Sequence, residues 1–310
     1  MPGPRRQALL VSAGIVLGAA LFAYAIRRVG LDALVDGVRR VGWGLVAILI
    51  LGGLRFALRA QCWRWCLPPG VALDFPHAFS AFLAGDAVGS VTPLGLLASE
   101  PTKVLLVRHH LATASSVASL ALENILYGVS VLAMLAFGFA LLLATTTVPQ
   151  AAWWIAGGAL GATVAVTGAA ILVLRSPRLL RIRNELRNFA DEHPGRLVRV
   201  FSLQLCFHGL AIVETFLTLH WLLGERSPTA LQAVVFETVN RLTTVVFKFV
   251  PFRIGVDEAA AGAIAPIIAT TAAAGVTLAV VRKSRMLFWS GIGFLLVTTH
   301  PARQRRDEKP

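Results

Sequence analysis

The chain has 310 residues, of which 56% are hydrophobic and only 15% charged, with a mean hydropathy of +0.71. A soluble domain carries about 25% charged residues, so this composition excludes a water-soluble globular protein. The net charge of +13 does not point to nucleic acid, because the cations lie mostly between apolar blocks, where they fit membrane topology and anionic headgroups.

Apolar blocks of roughly 20 residues are long enough to cross a bilayer. The first, Gln7 to Ile26, follows Arg5 and Arg6 like a signal peptide but has no convincing small-residue cleavage site, so it reads as a span. The second runs from about Val41 to Gln61, with Arg55, Arg59 and Arg64 toward its far end. Thr113 to Leu143, Trp153 to Leu174 and Arg199 to Leu223 follow. A last block, Thr271 to Thr299, is interrupted by Arg282, Lys283 and Arg285. The expectation is an all-α integral membrane fold with six spans in one polytopic domain, residues 1–310. The segment 175–199 carries seven arginines and is expected to be cytoplasmic by the positive-inside bias. The uncharged connection Ala144 to Ala152 then falls outside, and both termini fall inside. Arg27, Arg28, Arg39 and Arg40 oppose this orientation, partly offset by Asp32 and Asp36.

The three cysteines, Cys62, Cys66 and Cys206, show no CxxC or Cys/His metal spacing and read as small buried hydrophobes. His208, Glu214 and His220 lie on different faces of one helix, so no metal site is expected there. His109 and His110, beside Lys103 and Arg108, suit the headgroup zone.

The remaining segments, Asp74 to His110 and Ser227 to Thr270, resemble each other. Pro93, Gly95 and Glu100 in one match Pro251, Gly255 and Glu258 in the other, with Glu seven residues beyond Pro in each. Phe79, Phe82 and Asp86 precede the first motif; Phe236, Asn240 and Arg241 precede the second. Each is followed by a short apolar helix and a long span with a charge at similar depth, Glu123 and Arg282. Three spans separate the copies, so they would enter from opposite faces, as inverted-repeat transporters do. Proline and glycine free backbone groups that lipid cannot satisfy, and such backbone survives only inside protein or beside water. Phe75 to His110 and Phe236 to Thr270 therefore read as re-entrant helical hairpins with Pro93, Gly95, Pro251 and Gly255 as breakers, within repeats of about 41–143 and 199–299.

An ionisable group in a span is costly and marks function by default. The candidates for substrate binding are Glu100, Glu258, Arg241, Arg253, Arg282, Arg285, Asp86, Asn240, Glu123 and Glu214, with Glu237 and Asp257 also at membrane depth. The structural alternative is helix-orienting salt bridges, such as Glu123 with Arg282. GxSxG, HExxH, Walker and GxGxxG patterns are absent, so neither an enzyme nor a cofactor is expected.

At Pro93…Glu100 and Pro251…Glu258 the chain resembles the lysylphosphatidylglycerol synthase transmembrane family, over roughly residues 10 to 300. Typical members often have Gly directly before the Glu, where this chain has Ser99 and Asp257. Fused members add a soluble aminoacyl-transferase domain; this chain ends at Pro310 and is not expected to aminoacylate lipid by itself. Stand-alone relatives include a hopanoid-associated membrane protein. The resemblance implies a flippase-like transporter in the cytoplasmic membrane of a prokaryote. It would hold a lipid phosphate with Arg241, Arg253, Arg282 and Arg285, while Glu100 and Glu258 pair with those arginines or with a cationic headgroup. The alternatives are a non-catalytic accessory subunit of a lipid- or glycan-modifying system, and a membrane-embedded transferase. The expected partners are membrane lipids, with a second copy or a lipid-biosynthesis protein open, and no nucleic acid.

Overall fold

The computed structural model describes residues 27, 31–92, 95–145, 161, 184, 189, 191–224, 226, 228–247 and 250–307. The expected spans Gln7 to Ile26 and Trp153 to Leu174, most of the basic segment and of the uncharged connection, and Pro93 lie outside them. Among the described residues the chain is all-helical: α1 Leu31–Val41, α2 Gly44–Trp65, α3 Phe75–Val91, α4 Leu96–Val107, α5 Thr113–Thr145, α6 Pro194–Leu223, α7 Ala230–Val246, α8 Val256–Ile264 and α9 Ala272–Asp307, with 3-10 turns at Pro251–Arg253 and Ala265–Ile268.

Local chemistry explains the boundaries. Pro76 and Pro194 sit in first turns, where the missing N–H costs nothing. Thr229 and Gln232 form a reciprocal capping box that starts α7. Gly255, at φ 80°, starts α8 in a conformation that other residues adopt at a cost. Helix α6 begins at Pro194, inside the basic segment and ahead of the expected Arg199. Helix α1 falls where only a connection was expected: apolar Leu31, Leu34, Val35, Val38 and Val41 share one side, opposite Asp32, Asp36, Arg39 and Arg40.

Helices α2, α5 (over Thr113–Leu142) and α6 are long and apolar enough to cross a membrane. Helix α9 has the length, but Arg282, Lys283 and Arg285 break its apolar run. The burial pattern is inside-out relative to a soluble protein. Glu123 is 0% exposed, whereas Leu205 on α6 is 45% and Leu97 on α4 is 72% exposed. Such an apolar exterior around buried charge belongs in lipid, so this is an integral membrane protein. Cys62 and Cys66 are buried as expected, but Cys206 is exposed on α6.

Helices α2 and α6 run antiparallel. Gly44 meets Trp221 at one end, where a Cβ would lie 2.5 Å from the indole. Arg55 reaches Glu214 at 3.0 Å near the middle. At the other end Cys62 Sγ lies 3.7 Å from Val200 O, and Arg196 donates to Leu67 O at 3.0 Å. The segment α3–α4 leaves from the Leu67 end and returns to it, since the His77 and His110 rings meet at 4.0 Å between centroids. The segment α7–α8 leaves from the Trp221 end and returns there, with Gln232 Nε2 donating to Ile268 O at 2.8 Å. The two helical hairpins thus enter from opposite ends of the bundle, and α3 packs against Pro251–Arg253 where they meet.

The packed pairs form a pattern. Helices α2–α3, α3–α4, α4–α5 and α2–α5 pack together, as do α6–α7, α7–α8, α8–α9 and α6–α9. Across the halves, α2 meets α6, α3 meets α9 and α5 meets α7. Exchanging α2–α5 with α6–α9 maps α2–α6 onto itself and each of the other pairs onto another of the set. An apolar cluster with Trp63, Leu73, Phe82, Val107 and Leu120 fills the Leu67 end. A second, with Ile48, Leu219, Phe236 and Leu278, fills the Trp221 end. The buried charges lie between the two.

The crossing of α9 over α3 depends on Gly293, where a Cβ would lie 2.3 Å from Leu83 O and 2.6 Å from Ala87 Cβ. Backbone cannot yield as a side chain can, so Gly293→Val should cost about 1–3 kcal/mol by overpacking, read as a lower melting temperature of the purified protein in detergent.

Candidate functional site

A cavity of about 310 Å³ lies between the two hairpins. Helices α2 to α9 all contribute to its wall, as does the break before α8. Pockets for small molecules span roughly 300–1,000 Å³, so the space suits a lipid headgroup.

The wall is built from ion pairs. Glu214 on α6 is 1% exposed and lies between Arg55, at 3.0 Å, and Arg285, at 3.1 Å. Glu237 on α7 is shared by Arg241, at 2.8 Å, and Arg282, at 2.7 Å. Arg282 also donates to Thr215 Oγ1. Asp257 on α8 is shared by Arg253, at 3.1 Å, and Lys283, at 3.0 Å. Lys283 also donates to the carbonyl of Phe252. Glu123 on α5 pairs with Arg59 at 2.6 Å and accepts from Gln204 at 2.9 Å. Glu100 on α4 pairs with Lys103 at 2.7 Å, leaving Oε2 unpartnered. Arg282, Lys283 and Arg285 lie within one turn of α9, so one helix feeds three carboxylates on three others.

Aromatic faces support the cations. The Arg59 guanidinium lies 3.8 Å from the Tyr127 ring centroid, and Arg55 and Arg241 lie 4.5 and 5.0 Å from Phe207. Arg241 Nη1 also donates to Tyr127 Oη at 3.0 Å, while Nη2 has no partner. Cation–π contacts are attractive where water is excluded.

The candidates divide by position. Asp86, Glu100, Asn240, Arg241, Arg253, Arg282 and Arg285 line the cavity. Asn240 donates to Glu237 at 3.3 Å. Glu123 and Glu214 stand behind the wall, holding Arg59, Arg55 and Arg285 in place. The Glu123–Arg282 bridge of the structural alternative is not formed: Arg59 takes Glu123, and Glu237 takes Arg282. Glu258 is not a lining residue. It is 1% exposed and accepts the Gly255 N–H at 2.7 Å, so it caps α8, with Lys283 at 3.9 Å. Asp257, one residue earlier, faces the cavity instead. Of the breakers, Gly95 lines the cavity and lies so close to Gly89 that a Cβ would come within 2.4 Å of its carbonyl oxygen. Pro251 begins the turn in which Phe252 and Arg253 adopt φ 50° and 48°.

Arg55, Arg59, Lys103, Tyr127 and Phe207 line the cavity and were not expected to. The signal for Arg55 and Arg59 was present: two arginines four residues apart in an apolar block share a face at membrane depth. Lys103, a neighbour of His109 and His110 in the sequence, lines the cavity and pairs with Glu100. Groups of three or more His, Cys, Asp or Glu that could hold a metal do not occur among the described residues. His208 is 2% exposed, contacting Ser130 Oγ at 3.0 Å, and His220 lies elsewhere, on the surface.

A family model described as the lysylphosphatidylglycerol synthase TM region matches residues 11–294. No curated protein and no solved structure matches the chain. The matched residues take in both hairpins, the helices between them and every charged group of the cavity wall, and the chain belongs to the lysylphosphatidylglycerol synthase TM-region family.

Proposed function

We propose that this protein is a flippase-like transporter that moves an amphiphilic lipid across or out of the cytoplasmic membrane of a prokaryote. The observation that carries this reading is the cavity where two hairpins from opposite ends of the bundle meet, at the level of the buried charges. Broken helices meeting at the midplane of an inverted repeat are a transporter arrangement. On this reading the chain has six spans, α3–α4 and α7–α8 are re-entrant, the repeats cover about 41–143 and 199–299, and both termini are cytoplasmic. The matched exchange of packed pairs between α2–α5 and α6–α9 supports the repeat.

The cavity has the chemistry for a lipid phosphate. Arg253, 24% exposed, and Arg285, 18% exposed, present guanidinium groups to it. Each shares its carboxylate with a second cation, so both retain capacity for charge-assisted bonds to an anion. No chemical step is involved: the reading needs binding and a change of access, and it places the energy source outside the chain or in an ion gradient. The accessory-subunit reading draws on a specific observation too, since Glu123, Glu214 and Glu237 are satisfied inside the protein. Reconstitution into liposomes with labelled lipid separates the two, because an accessory subunit would give movement only with a partner.

Two further outcomes follow from the geometry. In a background with the three native cysteines replaced by serine, His109→Cys should label from the cytoplasmic side and Arg226→Cys from outside. Labelling of both from one side would end the opposed-hairpin reading. The second outcome separates structure from transport. Glu237→Gln leaves two buried cations short of a partner and should destabilise the fold by about 3–5 kcal/mol, read as lost folded yield. Arg253→Gln removes a partly exposed charge at the cavity. It should keep the folded yield and lower lipid movement per folded molecule about tenfold, one hydrogen bond to a charged group.

A further inference from the structure

The cavity wall is electrically lopsided. On the α7–α8 and α9 side, five cations, Arg241, Arg253, Arg282, Lys283 and Arg285, face it with the single carboxylate of Asp257. On the opposite side, the α3–α4 hairpin presents Asp86 and Glu100 with Lys103 as its single cation. Asp86 stands apart from the other acids. Its residue is exposed, yet it opens onto an interior cavity. Among the described residues it makes no hydrogen bond and no ion pair, although it lies in the field of Lys103, Arg59, Arg253 and Arg285. Glu123, Glu214, Glu237, Asp257 and Glu100 all have a cation within 3.1 Å. Side-chain atoms of the cavity wall that lack a hydrogen-bond partner include Arg55 Nε, Glu100 Oε2 and Arg241 Nη2. Glu100 Oε2 is on the acidic side; Arg241 Nη2, on a side chain 6% exposed, is on the basic side.

A ligand that carried only a phosphate would satisfy the basic side and leave Asp86 facing it across a small space. Like charges so placed disfavour binding. A ligand with a phosphate and, a few bonds away, an ammonium would satisfy both. We propose that the cavity binds a zwitterionic phospholipid headgroup, a phosphate ester bearing a primary amine, and that Asp86 is the residue that selects for the amine. The inference rests on the transporter reading for its context, while its test is a binding measurement that stands without transport. The phosphate sits toward Arg241, Arg253 and Arg285. The ammonium sits toward Asp86 and the free Glu100 oxygen, where it makes charge-assisted hydrogen bonds. Lys103 stays paired to Glu100 and packed on Gly85, where a Cβ would lie 2.7 Å from its Cγ.

The test uses short-chain phosphatidylethanolamine, its N-acetylated form and short-chain phosphatidylglycerol, binding to the full chain in detergent. The wild type should bind the free-amine lipid about tenfold more tightly than either of the others, one charged hydrogen bond. Asp86→Asn should bring that ratio close to one. Equal binding of the three lipids by the wild type would overturn the proposal, and the N-acetylated lipid tests this without any mutant. An unchanged ratio in Asp86→Asn would overturn it also, including the case where only the pH dependence of binding moves, which would make Asp86 a proton site. Absence of binding by any of them would overturn it as well. Asp86-dependent binding without lipid movement in liposomes would uphold the headgroup assignment and remove the transporter reading.

Discussion

Three carboxylates, Glu214, Glu237 and Asp257, each held between two cations, are the arrangement on which the centre of this protein depends. A charge taken out of water costs several kcal/mol even after relaxation, and a single partner only roughly repays it. Sharing one anion between two cations neither neutralises the set nor stabilises it strongly. It does fix geometry, because each cation comes from a different helix or turn from its anion or from a neighbouring turn of the same helix. Arg55 on α2 and Arg285 on α9 meet at Glu214 on α6. Arg282 on α9 meets Arg241 of α7 at Glu237. Lys283 ties α9 to α8 through Asp257 and to the turn before α8 through Phe252. Sliding α9 by one turn would break all three bridges at once, so the layer specifies the register of the bundle.

The layer also explains why the helices are broken. A continuous span satisfies its own backbone and leaves no room at the midplane. Ending α3 at Val91 and α7 at Val246 leaves space between the opposed tips, and free backbone groups there are met inside the protein, as when Lys283 reaches the Phe252 carbonyl. Apolar clusters close the bundle above and below this level, so the charges and the cavity share one slab of low-dielectric surroundings. Within that slab each electrostatic contact is stronger than in water, for the pairs and for any ligand that competes with them.

Much of this was readable in the chain. Pro251, Gly255 and Gly95 marked the breaks because backbone chemistry is local: a missing N–H, a positive φ or, at Gly95, a close approach to Gly89 acts at its own position. The charged candidates were likewise visible as exceptions to an apolar background. Pairing was not visible. Glu123 and Arg282 matched in depth along their own helices, but rotation about the helix axis decides which neighbour a side chain meets, and that rotation is set by packing. The same limit separates Asp257 from Glu258, adjacent residues about 100° apart around a helix: one lines the cavity and the other caps its own helix. Arg55 and Arg59 escaped because they were assigned to the end of a block, whereas α2 continues to Trp65 and buries them near its middle. Helix α1 escaped because its apolar stripe is too short to register as a span.

The bridge between α2 and α6 has a further consequence under the proposed repeat. The spacing that separates Glu100 from Glu258 carries Arg55 to Val213, one residue from Glu214. Arg55 and Glu214 are therefore near-equivalents that face each other where the two halves meet. In any two-fold arrangement, positions at the axis contact their own counterparts. Identical halves would set arginine against arginine there, or glutamate against glutamate, in surroundings that magnify the repulsion. The chain carries opposite signs instead, and the inversion extends outward. In the first half α2 supplies the cation and α5 the anion, Arg59 to Glu123; in the second, α6 supplies the anion and α9 the cation, Glu214 to Arg285. Under the proposed repeat, the opposite charges of Arg55 and Glu214 at near-equivalent positions put a salt bridge where the two halves meet. At the cavity itself the α3–α4 hairpin presents two carboxylates and one cation, and the α7–α8 hairpin two cations and one carboxylate, which sets the polarity between them.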